Sequence, residues 1–165
     1  MNFQRILRHL FMTQWQVRRA FPPGVLAAIE AAIKTSEQAH AGQIRFAVEG
    51  ALHSAALWRG LSARDRAIEV FSLLRVWDTE HNNGVLIYVL LADHAVEIVA
   101  DRGIHTKVGE QEWGNICQGM ETAFRQGRFE SGAVAGINAI AAWIAAHFPP
   151  GADMTNELPD RPVLL

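Results

Sequence analysis

Apolar residues fall along this chain in blocks whose spacing switches between helical and strand periods. Phe3, Ile6, Leu7, Leu10, Phe11 and Trp15 recur at three- and four-residue intervals, which sets them along one face of a first helix. Pro22-Pro23 ends that helix and opens a second, in which Leu26, Ile29, Glu30, Ile33 and Glu37 run to about His40 before Gly42 closes it. From Gln43 to Glu49 the period changes to two, with Ile44, Phe46 and Val48 on one side, as a strand requires. A loop from His53 to Gly60 follows. Ser62-Ala63-Arg64-Asp65 then resembles a capping box and launches a helix through Ala67, Val70, Phe71 and Leu74.

Asn82-Asn83-Gly84 is turn chemistry feeding the continuous apolar run Val85 to Leu91, the pattern of a strand covered on both faces. Asp93-His94 separates it from the strand-like Ala95 to Ala100, so a two-residue hairpin is predicted, with Val85 opposite Arg102 and Leu86 opposite Asp101. Gly103 and Gly109 bracket a loop, and helices follow over about 110–125 and 129–147. The four prolines between Pro149 and Leu165 predict an extended tail. The order helix, strand, helix, hairpin, helix, helix implies an α/β fold, a helix–sheet–helix sandwich around a small mixed sheet. Its first two strands run parallel through a right-handed crossover. The predicted organisation is an amphipathic helix over 1–20, an α/β domain over 21–148 and a Pro-rich tail over 149–165.

Composition narrows the function classes. Half of the 165 residues are hydrophobic and 19% are charged, which describes a globular protein with a real core. A net charge of −2 offers no general attraction for nucleic acid, so none is expected as a partner. The single cysteine, Cys117, rules out an internal disulfide, and its place beside Ile116 and Met120 reads as a small buried hydrophobe. Trp58, Trp77, Trp113 and Trp143 read as packing anchors. No apolar run reaches the roughly 18 residues of a membrane span, and Arg8, His9, Gln14 and Gln16 interrupt any signal-peptide core. A cytoplasmic location is therefore expected. The first acid is Glu30, whereas Arg5, Arg8, Arg18 and Arg19 precede it. The stripe carrying Phe3, Leu7, Phe11 and Trp15 needs a cover. Its own domain, a protein partner or second subunit, and peripheral contact of residues 1–20 with an anionic membrane all satisfy that need.

The hairpin and the parallel crossover bring several loops to one rim of the sheet. Asp78, Glu80, His81, Asn82, Asn83, Asp101, Arg102 and His105 gather there. Asp78, Asn82, Asn83 and Asp101 carry oxygens suited to a hard divalent cation such as Ca²⁺ or Mg²⁺, and Glu80, His81, Arg102 and His105 are ligand-binding candidates beside them. A solvated polar loop explains the same residues. No HExxH, GxSxG or phosphate-binding glycine loop is present, and no catalytic residue is assigned.

The run Asn82-Asn83-Gly84-Val85-Leu86-Ile87-Tyr88-Val89, with Ala92-Asp93-His94 and the strand ending Ala100-Asp101-Arg102-Gly103-Ile104, resembles the TPM domain. That family is named for a thylakoid lumen phosphatase-like protein, a photosystem II repair factor and a nematode receptor modulator. Phe124-Arg125-Gln126-Gly127-Arg128-Phe129-Glu130-Ser131-Gly132 is similar to its motif between two closing helices, and the likeness spans about 23–148. It resembles short bacterial members without a signal peptide or membrane anchor. The resemblance implies a helix–sheet–helix sandwich. For function it implies a non-enzymatic accessory or interaction domain acting with membrane or envelope proteins. The alternatives are a metal-assisted acid phosphatase and a divalent-cation-binding module. Many longer members carry Asp where this chain has Asn82, a substitution that weakens attraction for a cation.

Overall fold

The computed structural model describes residues 3–151 and 155–165. Its elements are α1 (Phe3–Phe11), α2 (Gln14–Ala20), α3 (Pro23–Ser36), β1 (Gln43–Glu49), α4 (Ser54–Trp58), α5 (Ala63–Leu73), β2 (Gly84–Leu90), β3 (Ala95–Ala100), α6 (Arg102–Val108), α7 (Glu110–Arg125), α8 (Phe129–His147) and β4 (Val163–Leu164). The sheet order is β3-β2-β1-β4, with β1 parallel to both β2 and β4, and β2 antiparallel to β3. The mixed α/β sandwich is as expected. The proline-bearing segment adds a short fourth strand that periodicity does not reveal.

Two apolar layers sandwich the sheet. Ile44, Phe46, Val48, Ile87 and Ile98 pack against Ile29 and Ile33 of α3, Met120 of α7 and Ile137 and Ile140 of α8. On the opposite face Ala47, Leu86, Tyr88 and Val99 meet Ala67 and Val70 of α5, with Leu57 and Leu158. Helix α8 is long and apolar enough to cross a membrane by length and composition, a property the run-length reading missed because Glu130 and Asn138 break the run. Here Gly132, Ala133, Gly136, Ile137, Ile140 and Ile144 form its buried face.

The polar side of β1 is buried as well. Glu49 sits in the α5 layer and accepts from Tyr88 Oη at 2.7 Å and from Arg66 Nε at 2.8 Å on Oε2, and from Arg66 Nη2 at 3.1 Å on Oε1. Charge-assisted bonds of this kind offset the cost of burying a carboxylate. Burial and the Glu49 hydrogen bond both push the Tyr88 phenol well above its ordinary value.

Several boundaries differ from the sequence reading for local reasons. The N-terminal stripe is two helices, because Thr13 caps α2: Gln16 N–H donates to Thr13 Oγ1 at 3.3 Å, and Thr13 N–H donates to Gln16 Oε1 at 2.8 Å. Short helices α4 and α6 occupy segments expected to be loops, the latter capped by Asp101. The hairpin pairs Leu90 with Ala95 and so has a four-residue turn, Leu91 to His94, with His94 in the left-handed region at φ 53°. The register is therefore Val85 to Ala100 and Leu86 to Val99, two residues from the predicted pairing. An even offset preserves which face each side chain occupies, so the core survives the difference.

Candidate functional site

The rim predicted from strand directions forms around β2. Gln43 is the register partner of Gly84, and Asp101 N–H donates to Gly84 O at 2.9 Å. The 79–83 loop and the first turn of α6 touch closely: a Cβ on Gly103 would stand 2.6 Å from Asn82 O and 2.8 Å from His81 O. Only glycine permits that approach.

The eight rim candidates nevertheless divide among four environments. Asn83 is fully buried; its N–H donates to Thr79 Oγ1 at 3.2 Å and its Nδ2 to Ala41 O at 3.0 Å. Asp101 caps α6, with Oδ1 accepting from Arg102 N–H at 2.7 Å. Asn83 Oδ1 and Asp101 Oδ2 are both buried without a hydrogen-bond partner, an unusual state for polar atoms. Asp78, Asn82 and Arg102 are exposed. Glu80 and His81 belong to an open cleft of 1140 Å³ that Glu37, His40 and Asp160 also line. His105 points to a different cleft, shared with Glu97, Trp113 and Cys117 between β3 and α7. Burial pushes the Cys117 thiol up to about 12, consistent with an inert packing role.

A divalent cation at this rim would draw on Asn83 Oδ1 and Asp101 Oδ2. Among the described residues no group of three His, Cys, Asp or Glu side chains is placed to hold a metal ion.

The cleft contains two groups that periodicity does not single out. His40 is buried; its Nδ1 lies 3.1 Å from Gly42 O, while Nε2 has no partner, and burial holds its pKa below the ordinary value. Glu37 accepts from Ile44 N–H at 3.0 Å and lines the cleft together with Asp160. Its helical spacing after Ile29 and Ile33 is visible in the sequence, but it closes α3 as the C-cap, and the opposite wall of the cleft comes from the last eleven residues of the chain.

The N-terminal helices are the second candidate region, and their orientation reverses the usual one. Asp93, in the β2–β3 turn, accepts from Arg5 Nε at 3.0 Å and Nη2 at 2.8 Å, and from His9 Nε2 at 3.0 Å. Arg5 also donates to Leu61 O at 2.7 Å. Leu52 N–H donates to His9 Nδ1 at 3.0 Å, so the ring proton sits on Nε2, facing Asp93. Burial alone would raise the Asp93 pKa, but hydrogen bonds from Arg5 and His9 hold it below the ordinary carboxylate value. The polar face of α1 therefore faces the protein. Phe3, Leu10, Phe11 and, on α2, Trp15 are 70%, 67%, 72% and 65% exposed, and Leu7 is half-buried. Docking of the stripe on its own domain, one of the covers considered above, is not what the structure shows.

The comparisons agree with this architecture. The NMR structure of the BA42 protein from the psychrophilic bacterium Bizionia argentinensis is similar, with a TM-score of 0.75 and 32% identity over 86% of this chain and 93% of that one. The N-terminal domain of a protein from P. gingivalis shares the fold, with a TM-score of 0.59 and 15% identity over 73% of this chain and 76% of the other. No curated protein sequence matches. The family model described as the TPM domain matches residues 19–143, and with the sheet order and the Asn83-Gly84 rim in place, the chain belongs to the TPM domain family.

Proposed function

We propose that this protein is a non-enzymatic accessory domain that docks on an anionic membrane surface through α1 and α2. The observation that supports this most directly is the inverted helix α1, whose Arg5 and His9 are tied inward to Asp93 while Phe3, Leu10 and Phe11 face solvent. An amphipathic helix ordinarily buries its apolar side, so a fixed apolar side turned outward needs a partner. The charge beside it favours lipid headgroups. No acid occurs before Glu30, Arg18 and Arg19 are exposed, Arg8 is half-exposed with its guanidinium 3.8 Å from Asp93, and the Arg19 guanidinium stacks 5.3 Å from the Trp15 ring centroid. A role with membrane or envelope proteins follows from residence at that surface.

Flotation with phosphatidylcholine vesicles, with and without phosphatidylserine, tests the reading. The protein should float with the anionic vesicles and lose affinity as salt rises. Phe11→Ser combined with Trp15→Ser removes two large apolar groups at about 1.5–3 kcal/mol each, a loss of more than about 100-fold. Both positions are exposed, so the variant keeps its fold. Equal flotation of the two proteins overturns the proposal, and concentration-dependent self-association without lipid binding assigns the surface to a second copy instead.

The two unpartnered oxygens at the rim favour a second reading, weak divalent-cation binding. At ten times its dissociation constant a bound ion contributes about 1.4 kcal/mol, about 3–6 °C in melting temperature for a chain of this size. Millimolar Mg²⁺ or Ca²⁺ should give such a rise in the native protein and none in Asp101→Asn; no rise in the native protein removes this reading.

A further inference from the structure

A small apolar cavity of 170 Å³ lies where the α1–α2 link meets the end of the β2–β3 hairpin and the join of α7 and α8. Its walls include Met12, Ala20, Val89, Leu91, Phe124 and Phe129, all buried or half-buried. Its mouth is polar, since Gln16, His94 and Arg125 line it and are exposed. The cavity shares no residue with the 1140 Å³ cleft or with the rim around Asn83.

An apolar void forfeits contacts on its empty side, so a protein interior ordinarily closes over one. Ties to fixed neighbours hold this one open. On one side Arg5 and His9 clamp α1 to Asp93, and Met12, just past α1, meets the same hairpin turn at Leu91 and His94. On another, Glu121 Oε1 accepts from Val96 N–H at 3.1 Å and fixes α7 on β3. Phe124 and Phe129 stack with ring centroids 5.3 Å apart, and Phe21 meets both edge-on at 5.9 and 5.3 Å, so these rings hold one another out of the space. Ala20 and Ala95, which also line the cavity, end at Cβ and leave it unfilled.

We propose that this cavity binds the alkyl tail of a short straight-chain carboxylate, with the head at the mouth between Gln16 and Arg125. The space suits a tail of about six carbons, since an apolar cavity of about 150 Å³ takes up benzene. The mouth supplies donors. Gln16 Oε1 accepts from Thr13 N–H at 2.8 Å and from Thr13 Oγ1 at 3.2 Å, which leaves Nε2 to donate elsewhere. Arg125 gives Nη2 to Glu121 at 3.0 Å, but its side chain is 56% exposed and its guanidinium carries further N–H groups. Glu121, the acid among the lining residues, is already held by Arg125 and Val96 N–H. A carboxylate at the mouth therefore meets donors without facing an uncompensated like charge. The site needs no bilayer and lies beyond the docking surface assigned to α1 and α2.

Titration of the native protein with sodium alkanoates from butanoate to decanoate, in lipid-free buffer and followed by backbone amide chemical shifts, tests the assignment. Saturable shifts should appear at Ala20, Leu91 and Ala95. Affinity should rise about fourfold with each methylene and level off near heptanoate, whose tail has about six carbons. Hexylamine matches that tail but carries a cation, and should bind about tenfold more weakly. Ala20→Leu fills the cavity from α2 and should weaken heptanoate binding by about tenfold or more without lowering the melting temperature. Ala95→Leu fills it from β3 and serves if Ala20→Leu fails to fold. The absence of saturable shifts overturns the proposal, as does native-like binding by the filled variant or hexylamine binding equal to that of heptanoate. Affinity that climbs steadily to decanoate also overturns it, because the tail would then lie on the exposed apolar surface. Vesicle flotation is read separately through Phe11 and Trp15, so failure here leaves the membrane reading standing.

Discussion

Gly84→Ala is expected to destabilise the protein by about 4 kcal/mol or more, lowering the melting temperature by about 8–16 °C. A Cβ at this position would stand 2.0 Å from Val76 O and 3.1 Å from both Val76 C and Cγ1. The obstacle is backbone, and Val76 is fully buried with its N–H donating to Phe71 O at 3.0 Å, so it has no room to yield. Nor can Gly84 retreat. It pairs with Gln43 on one side and accepts from Asp101 N–H on the other, so moving it breaks both strand neighbours at the rim. Urea unfolding measures the loss, with Gly114→Ala as the control. That glycine lies within α7, and nothing stands within 4 Å of its added Cβ, so alanine there should stabilise by about 0.5–1 kcal/mol. Equal stability of Gly84→Ala and the native protein would show that the Val76 backbone does not press on Gly84 as described.

Asp93→Asn is expected to cost about 3 kcal/mol and to free α1 from the body of the protein. The Asp93 side chain is 11% exposed and Arg5 22%, so solvent does little to replace the lost charge. Arg5 keeps Leu61 O as an acceptor, but its paired carboxylate is gone and the His9 proton faces a neutral amide. The effect has a pH signature. A carboxylate held below its unfolded value contributes stability that is present above that unfolded value and disappears as pH falls through the lowered one. Acid should therefore detach α1 in the native protein, while Asp93→Asn starts detached and shows no such step. Amide exchange over residues 3–11 and at Leu52, whose N–H donates to His9, follows both effects. Native-like protection of those amides in Asp93→Asn would mean that apolar contacts alone hold the helix. Detaching α1 also separates its location from its chemistry: the variant keeps Phe3, Phe11 and Trp15, so vesicle binding that survives shows that the helices bind lipid without the body's support.

Elements with a strong period and clear punctuation were legible in the amino-acid order. The predicted spans of α7 and α8 match because Gly109, Gly127 and Pro149 bound long helical patterns. β3 matches because Ala95 to Ala100 carries a dense β-branched run. The rim followed from topology: one parallel crossover and one hairpin oblige the start of β2 and the end of β3 to meet, whatever the turn length. The turn itself was misjudged because Leu91 and Ala92 are as apolar as the strand before them. What sets them apart is held from outside: Ala92 N–H donates to Gly50 O at 3.0 Å, and Asp93 is tied down by α1.

Local pattern thus determined the α/β class, the sheet's central strands and the cluster of polar loops at one rim, since these depend on residues close in sequence or joined by short connections. Tertiary structure alone decided which way the N-terminal stripe faces, because periodicity defines a helix face but not its partner, and Arg5 and His9 outweigh the apolar side by finding Asp93 more than eighty residues away. It likewise decided that 155–165 lies on β1, where Gln43 and Arg45 hold the backbone of a segment from the far end of the chain. Contacts between distant polar groups leave no periodic trace, and in this protein they place both the N-terminal helices and the C-terminal segment.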